Sequence, residues 1–294
     1  MKKLLFLLLL SLTPFSQADE PEAETEFDMK LAAFRLEQEG NYVGAVKIYE
    51  EMVDKFKSKK AMQKLYWIYD AVGCSNSKFY AQCQAMENPQ LATYWLKEMV
   101  GYGVPKDSYA LSGYSSLMIR YAEEKNWYEV KRMATQILNA TDEEIAFAYN
   151  EGDFESYWQD RKKWDSSLTE KDKAKHYKKY LNLEEHYPDK ASASDPRRTA
   201  YGLLAQMYFN GEGARQDYNL SWQYATNEKV NWGMTVGIVA IQLYEGLGVK
   251  QDKQKALDVI GEYCDRTGWK SVCNMYNIMQ EGDISFKNMK IHWY

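Results

Sequence analysis

The chain has 294 residues, with 37 Lys and Arg against 42 Asp and Glu, so its formal net charge is -5. This balance disfavours nucleic acid as a partner, because nucleic-acid binding depends on neutralising phosphates with basic side chains, and it suits a basic protein partner. The length is large for one compact core but ordinary for a row of units that each contact only their neighbours.

Residues 1–18, MKKLLFLLLLSLTPFSQA, combine two lysines, an apolar run and a small-x-small site before Asp19. This pattern predicts a secretory signal peptide, and the bacterial periplasm is the expected compartment. Removing Lys2 and Lys3 leaves 35 basic residues against 42 acidic ones, a formal net charge of about -7. The apolar run is too short to span a bilayer and no later stretch is apolar enough, so we expect no stable membrane insertion.

The following part of the chain predicts paired helices. Residues 19–27 are acidic and predict a flexible N-terminus, whereas residues 28–139 predict helical hairpins. Asn41, Asn88 and Asn126 each precede an amphipathic stretch, so we interpret them as the N-caps of second helices.

Residues 140–197 depart from this plan. They open with a capping box from Thr141 to Glu144, but the sequence then becomes rich in Tyr, Trp and Lys and loses the hairpin pattern. We predict an irregular helical segment here, ending in a linker at PDKASASDPRR.

Regular periodicity returns across residues 198–282. Two apolar stripes at helical spacing are each followed by the same phrase, FNGEGARQD at 209–217 and YEGLGVKQD at 244–252, and a third version, GYGVPKD, lies at 101–107. Glycine adopts positive φ at low cost and aspartate caps helices, so the phrase predicts the end of one helix and the start of the next. A dinucleotide-binding loop is disfavoured, because it needs a preceding strand and a third glycine.

These repeats resemble the Sel1-like repeat family, relatives of the tetratricopeptide repeats, whose units carry Ala and Leu, then Tyr-x-x-Gly-x-Gly, then a capped second helix. The resemblance covers 198–282 well and 28–139 loosely, and 150–197 does not share it. It implies an all-α fold, an α-solenoid of stacked antiparallel helix hairpins that acts as a protein-binding scaffold. Bacterial relatives include periplasmic adaptors and immunity proteins that neutralise secreted toxins, among them phospholipase effectors of type VI secretion.

Four cysteines in an exported chain predict disulfides. Cys74 and Cys83 are nine residues apart, and so are Cys264 and Cys273, so two local pairs are the simplest of three connectivities. The second pair also resembles the disulfide of cysteine-rich secreted Sel1-like proteins. Buried free thiols are the alternative, and zinc is disfavoured because the spacing is too wide and no histidine lies near either pair.

Catalytic chemistry has little support in the sequence. His176, His186 and His292 share no ligand spacing and no partner motif. Ser75 and Lys78 match the Ser-x-x-Lys pattern of penicillin-recognising enzymes but lack the Ser-Asp-Asn and Lys-Thr-Gly motifs that accompany it. We therefore predict a protein that is not an enzyme and that uses no cofactor and no metal; an enzyme acting on a β-lactam or on peptidoglycan is the alternative.

Aromatic residues make up 15% of the chain, including 24 Tyr and 9 Trp. Most of these rings are expected to pack between hairpins, but exposed Tyr and Trp also dominate protein interfaces. The candidates for partner binding are Tyr157, Trp158 and Trp164, in the segment that breaks the repeat, and Trp222 and Trp232 beside the regular repeats. A carbohydrate-binding surface would favour the same rings.

The last residues, 283–294, alternate apolar side chains at a spacing nearer to that of a strand than of a helix. They predict either a cap over the apolar face of the last repeat or a partner-binding tail. Taken together, the sequence predicts an exported helical-repeat protein that binds another protein, most sharply an immunity protein that occludes a basic toxin or a lipase effector. An envelope adaptor or assembly factor is the alternative.

Overall fold

The structure of the protein is a computed structural model that describes residues 25–71, 74, 78–182, 195–230, 232–282 and 285–292, with the backbone alone at 232. Within these residues the fold is all-helical, with fifteen α-helices and no strand. The predicted signal peptide and most of the predicted linker lie outside the described residues.

Seven helices precede the segment that departs from the repeat: α1 (Glu26–Gln38), α2 (Tyr42–Phe56), α3 (Lys59–Tyr69), α4 (Tyr80–Gln84), α5 (Pro89–Val100), α6 (Ser108–Glu123) and α7 (Trp127–Leu138). Three lie within it: α8 (Asp142–Asn150), α9 (Phe154–Trp164) and α10 (Lys173–Leu181). Five follow: α11 (Pro196–Asn210), α12 (Tyr218–Ala225), α13 (Trp232–Glu245), α14 (Lys253–Thr267) and α15 (Lys270–Glu281).

Helix starts follow the predicted caps. The side chains of Asn41, Asn88 and Asn126 each accept a hydrogen bond from the backbone N–H three residues later, and they open α2, α5 and α7. The predicted capping box from Thr141 to Glu144 opens α8. These local signals therefore placed the starts of these four helices correctly.

The predicted flexible N-terminus ends sooner than expected. Helix α1 begins at Glu26 because Thr25 and Asp28 form a capping box, in which the Thr25 side chain accepts the Asp28 N–H and the Asp28 carboxylate accepts the Thr25 N–H. The acidic composition of this segment favoured a flexible chain, although Thr25 and Asp28 have the residue types of a capping box.

The helices pack against one another in chain order. α1 packs on α2, α2 on α3, α3 on α5, α5 on α6 and α6 on α7. The series then passes from α7 to α11, which packs on both α6 and α7, and it continues through α12, α13 and α14 to α15. Helix α11 also packs on α13, so the first helices of successive pairs are in contact.

Helices α8, α9 and α10 lie beside this series. α8 packs on α6, α10 packs on α8 and α9, and α11 occupies the place next to α7. We call residues 142–181 the insertion. The sequence predicted an irregular helical segment here, and the structure has three α-helices of 9, 11 and 9 residues. Their lack of the repeat motif follows from their position outside the series.

Two apolar clusters form the core, and α11 joins them. Leu203 and Met207 belong to the first cluster, which α1–α7 supply for the most part, whereas Ala205 and Phe209 belong to the second, with α12–α15. Twelve of the fifteen residues of α11 are buried. The apolar stripe predicted for this helix therefore faces one half of the core, and its opposite face is buried against the other half.

The repeated glycine phrase makes the same contacts in both of its full copies. Gly211 and Gly246 have φ of +68° and +72°, which terminates α11 and α13. The amides of Gln216 and Gln251 each donate, at 2.8 Å, to the carbonyl oxygen seven residues earlier. The aspartate after each glutamine caps the next helix. The third copy, at 101–107, joins α5 to α6, and so it follows a second helix.

The cysteines pair as their spacing predicted. Cys74 and Cys83 form one disulfide and Cys264 and Cys273 form the other, with Cα–Cα distances of 5.5 and 5.0 Å. The first pair is fully buried in the first core cluster, in the connection between α3 and α5. The second pair is half-buried and links the end of α14 to α15.

Candidate protein-binding surfaces

The five predicted partner-binding residues do not come together in the structure. Tyr157 and Trp222 are half-buried, Trp164 is 89% exposed, and the side chain of Trp232 lies outside the described residues. Trp158 is fully buried, so its predicted place on an exposed surface is wrong. Of the described candidates, Trp164 alone presents most of its ring to a partner.

Most aromatic rings of the insertion hold α9 against α10. The Phe154 ring centroid lies 4.9 Å from that of Tyr177 and 5.5 Å from that of Tyr180, and the Trp158 ring lies 5.1 Å from the His176 ring. These edge-to-face contacts stabilise the pairing of two helices that are otherwise polar. Trp158 is buried because it supplies the largest apolar surface of that small interface.

His176 is partly buried, although it lies in a lysine-rich stretch of the sequence. Its ring packs on Trp158, and its Nδ1 atom is buried without a hydrogen-bond partner among the described residues. Burial lowers the pKa of His176 from its usual 6.5, and the charges of Lys179 and Arg161 lower it further. The imidazole is therefore neutral at pH 7 and contributes to packing.

Charge is distributed unevenly along the insertion. Residues 140–153 contain five acidic and no basic side chains, whereas residues 154–182 contain eight Lys and Arg against five Asp and Glu. The part of the insertion that carries Trp164 thus has the opposite sign to the whole chain. Because exposed charges are screened beyond about 8 Å at physiological ionic strength, the local surplus decides which partner surface is attracted. The local surplus of Lys and Arg favours an acidic patch on the partner.

Arg197 ties the insertion to the main series. Its guanidinium donates to Asp195 at 2.7 Å and to Asp142, the first residue of α8, at 2.6 Å. Lys229 donates to the same Asp142 carboxylate at 3.0 Å. The hydrogen bonds from Lys229 and Arg197 lower the pKa of Asp142 below its usual range. The start of the insertion is thus held by two basic residues that follow it in the chain, one in α11 and one after α12.

Acid is expected to loosen this attachment. A carboxyl group with a lowered folded pKa stabilises fully above its unfolded value, 3.8 here, and loses that contribution as the pH falls through the lower folded value. Hydrogen exchange of α8 amides, corrected for intrinsic rates, should therefore quicken as the pH falls from about 5 to about 2, and more than that of α14 amides. In Asp142→Asn the α8 amides should exchange faster already at pH 6, and the additional effect of acid should shrink. An unchanged acid response in this variant would contradict the assignment.

Residues 285–292, which we call the tail, lie across the ends of α11 and α13. Phe286 and Ile291 are 3% and 4% exposed and belong to the second core cluster. The Phe286 ring meets the Tyr244 ring edge-to-face at 5.7 Å. Two of the alternating apolar residues, Phe286 and Ile291, are buried, whereas Met289 is 46% exposed, and the described tail forms no strand. The tail also reaches back to α11.

Hydrogen bonds hold the tail backbone at two equivalent positions. The Asn210 amide donates to the Ile291 carbonyl oxygen at 2.8 Å and accepts the Ile291 N–H at 3.0 Å. The Phe286 N–H donates to the Glu245 carboxylate at 2.6 Å. Asn210 and Glu245 are the last residues of α11 and α13 and lie thirty-five positions apart, one repeat period. Successive repeats therefore use the same position to hold the tail, which turns between these contacts as the Met289 N–H donates to the Phe286 carbonyl oxygen at 3.0 Å.

We call the surface that the tail covers, across the ends of α11 and α13, the groove. Charged and polar groups line its rim. Lys290 donates to Glu212 at 3.1 Å, and the His292 ring lies 3.8 Å from the same carboxylate. The Tyr218 hydroxyl donates to the Lys287 carbonyl oxygen at 3.4 Å. The rim thus favours a basic segment.

The remaining sequence candidates give no assembled site. Ser75 and His186 lie outside the described residues, and the Lys78 ammonium lies 4.8 Å from the centroid of the Phe79 ring. In the part of the chain that the structure describes, no cluster of three His, Cys, Asp or Glu is arranged to hold a metal ion. No described helix has both the length and the apolar character to cross a membrane.

No protein-family profile matches the sequence, and no similar curated protein was found. The described residues show an all-helical, disulfide-bonded chain, with an insertion of three helices that exposes a tryptophan and a tail held across the ends of α11 and α13.

Proposed function

We propose that this chain is an exported protein-binding scaffold, an α-solenoid of Sel1-like hairpins that acts through its surface without catalysis. The observation that carries the proposal is Trp164, which ends α9 with 89% of its surface exposed while the other tryptophan of that helix is fully buried. A partner that covers such a ring gains the burial of a large apolar side chain at a small entropic cost.

In its most specific form, the proposal is that the chain is an immunity protein. A preformed helical surface covers the active cleft of a secreted toxin or lipase effector and excludes its substrate, and little has to become ordered on binding. The net charge of the chain favours a basic effector, but the local surplus of Lys and Arg beside Trp164 favours an acidic patch on the part of the effector that meets the insertion.

The test begins with the neighbouring genes. An effector encoded there with a lipase serine motif should kill cells when it is produced in the periplasm, and co-export of this chain should protect them. If no such effector is encoded, an envelope adaptor is the expected role. An encoded effector that forms no complex with this chain would overturn the immunity form of the proposal.

A substitution at Trp164 tests the surface itself. Trp164→Ala is expected to weaken the complex about 30-fold or more, since truncation of a central interface tryptophan costs about 2 kcal/mol or more. The matched control is Tyr128→Ala, which removes another exposed ring, 76% exposed, from α7 in the main series. Isothermal titration calorimetry measures both variants. Equal affinities for the two would show that the insertion does not contact the partner.

A further inference from the structure

We infer that the groove across the ends of α11 and α13 is a binding site for a segment of another protein, and that the tail is its resident occupant. This inference goes beyond the proposed function, which rests on Trp164 and the insertion. The groove lies on the main series, and its residues are those that hold residues 285–292 in place.

The first argument is recognition of the backbone. Asn210 binds both polar backbone groups of Ile291, with its oxygen accepting the N–H and its nitrogen donating to the carbonyl. A side-chain amide is the neutral group that matches both needs at once, and it does so whatever side chain the held residue carries. Asn210 is itself only 8% exposed, so these bonds are shielded from water.

The second argument is the repetition of the contact. Glu245 accepts the N–H of Phe286 from the position in α13 that Asn210 occupies in α11. The tail therefore runs from α13 towards α11, opposite to the order of the helices in the chain. Two helix pairs thus present backbone-binding groups at one position, and a segment that makes the same turn between its two anchors meets both.

The third argument gives the chemistry of the segment. Phe286 and Ile291, five positions apart, supply the two buried side chains, and the lysine just before Ile291 bonds to Glu212. Glu212 is 15% exposed, so a basic group that pairs with it is attracted more strongly than one at the open surface. The partner segment is thus expected to carry an aromatic residue and, five positions later, a branched aliphatic residue preceded by Lys or Arg.

The fourth argument is that the tail can leave. Only Phe286 and Ile291 are buried among residues 285–292, and the residues between them are exposed. Residues 285–292 form no helix or strand, so their release breaks two anchors and a few hydrogen bonds while the helices remain packed. A segment so attached belongs to the part of a protein that opens at low free-energy cost.

The test uses the full chain and a labelled synthetic peptide, ISFKNMKIHW, which has the sequence of residues 284–293. In the variant Phe286→Ala with Ile291→Ala, the resident tail is weakened and the groove is unchanged. Fluorescence anisotropy should show that this variant binds the peptide at least tenfold more tightly than the unaltered chain does. Adding Asn210→Ala should reduce that affinity at least tenfold, and a scrambled peptide should not bind.

Other outcomes overturn the inference. If the weakened-tail variant keeps its helical circular dichroism but does not bind the peptide, the tail is a fixed cap. If the unaltered chain is a dimer and Phe286→Ala makes it monomeric, the groove belongs to the tail of a second copy. The affinity of an effector for the insertion is measured separately through Trp164, so failure of one proposal leaves the other standing.

Hydrogen exchange of the unaltered chain keeps the inference testable if the weakened-tail variant unfolds. The Ile291 amide should exchange at least tenfold faster than the buried amides of α13, because the tail opens without unfolding of the helices. Equal protection of Ile291 and α13 would show that the tail opens only with the core.

Discussion

Replacing Gly213 with alanine is expected to lower the free energy of unfolding by about 2–4 kcal/mol. Gly213 has a φ of +73°, a left-handed conformation that costs a residue with a side chain about 1 kcal/mol. The added Cβ would also lie 2.1 Å from the Cβ of Trp127. Trp127 is 5% exposed and is the first residue of α7, so it cannot move aside, and relief of the overlap costs about 1–3 kcal/mol.

The control for this prediction is Gly268→Ala. Gly268 has a φ of +64° in the left-handed helical region, but a Cβ built there meets no atom within 4 Å. This variant therefore pays the conformational cost without the overlap and should lose about 1 kcal/mol. Urea unfolding followed by far-UV circular dichroism measures both. If the two variants lost the same free energy of unfolding, the turn after α11 would shift away from Trp127 without cost. The close contact with Trp127 would then not contribute to the effect.

The same contact recurs one repeat later, which explains the second glycine of the repeated phrase. A Cβ on Gly248 would lie 2.7 Å from the backbone carbonyl carbon of Tyr218, the first residue of α12. Trp127 and Tyr218 thus occupy matching places at the starts of two second helices. The sequence predicted these glycines as turn formers, and the structure adds that they let each turn rest directly on the preceding hairpin.

Much of the fold was predictable because its signals are local. A cap such as Asn88 acts on an N–H three residues away, and an apolar stripe reports one face of one helix. The cysteine pairs were equally accessible, since each closes a separation of nine residues. In a row of helix pairs most contacts join neighbours in the chain, so local signals determine most of the helical pattern.

The insertion shows where local signals fail. The composition of residues 142–181 does not indicate that α11 packs on α6 and α7, because that contact joins segments more than fifty residues apart. The burial of Trp158 has the same origin. Its neighbours in the sequence are polar, and the ring that covers it, His176, lies on a separate helix. Helix α9 alone therefore gave no reason to distinguish Trp158 from Trp164.

The groove was missed for a different reason. Asn210 and Glu245 occupy the same position of the repeated phrase, directly before its first glycine, but they differ in residue type. A comparison that looks for identical residues passes over them. The available signal was that both are polar groups at the end of an apolar helix, where each can bind a backbone N–H.

Removing the buried disulfide is expected to have the largest effect on stability. The double replacement of Cys74 and Cys83 by alanine should lower the free energy of unfolding by about 4 kcal/mol. Loss of a loop closure of about ten residues accounts for about 2.5 kcal/mol. Both cysteines are 0% exposed in the first core cluster, so the missing sulfur atoms also leave unfilled space, which adds about 1–2 kcal/mol.

Cys264 and Cys273 provide the matched control, because they close a loop with the same separation of nine residues. They are half-buried, so their double replacement by alanine should cost little beyond the closure contribution, about 2.5 kcal/mol. The shift in the urea midpoint of each double variant, measured under non-reducing conditions, separates burial from loop closure. A smaller loss at Cys74 and Cys83 than at Cys264 and Cys273 would mean that the connection between α3 and α5 is already ordered without its disulfide. The buried sulfur atoms would then contribute less to the core than their complete burial implies.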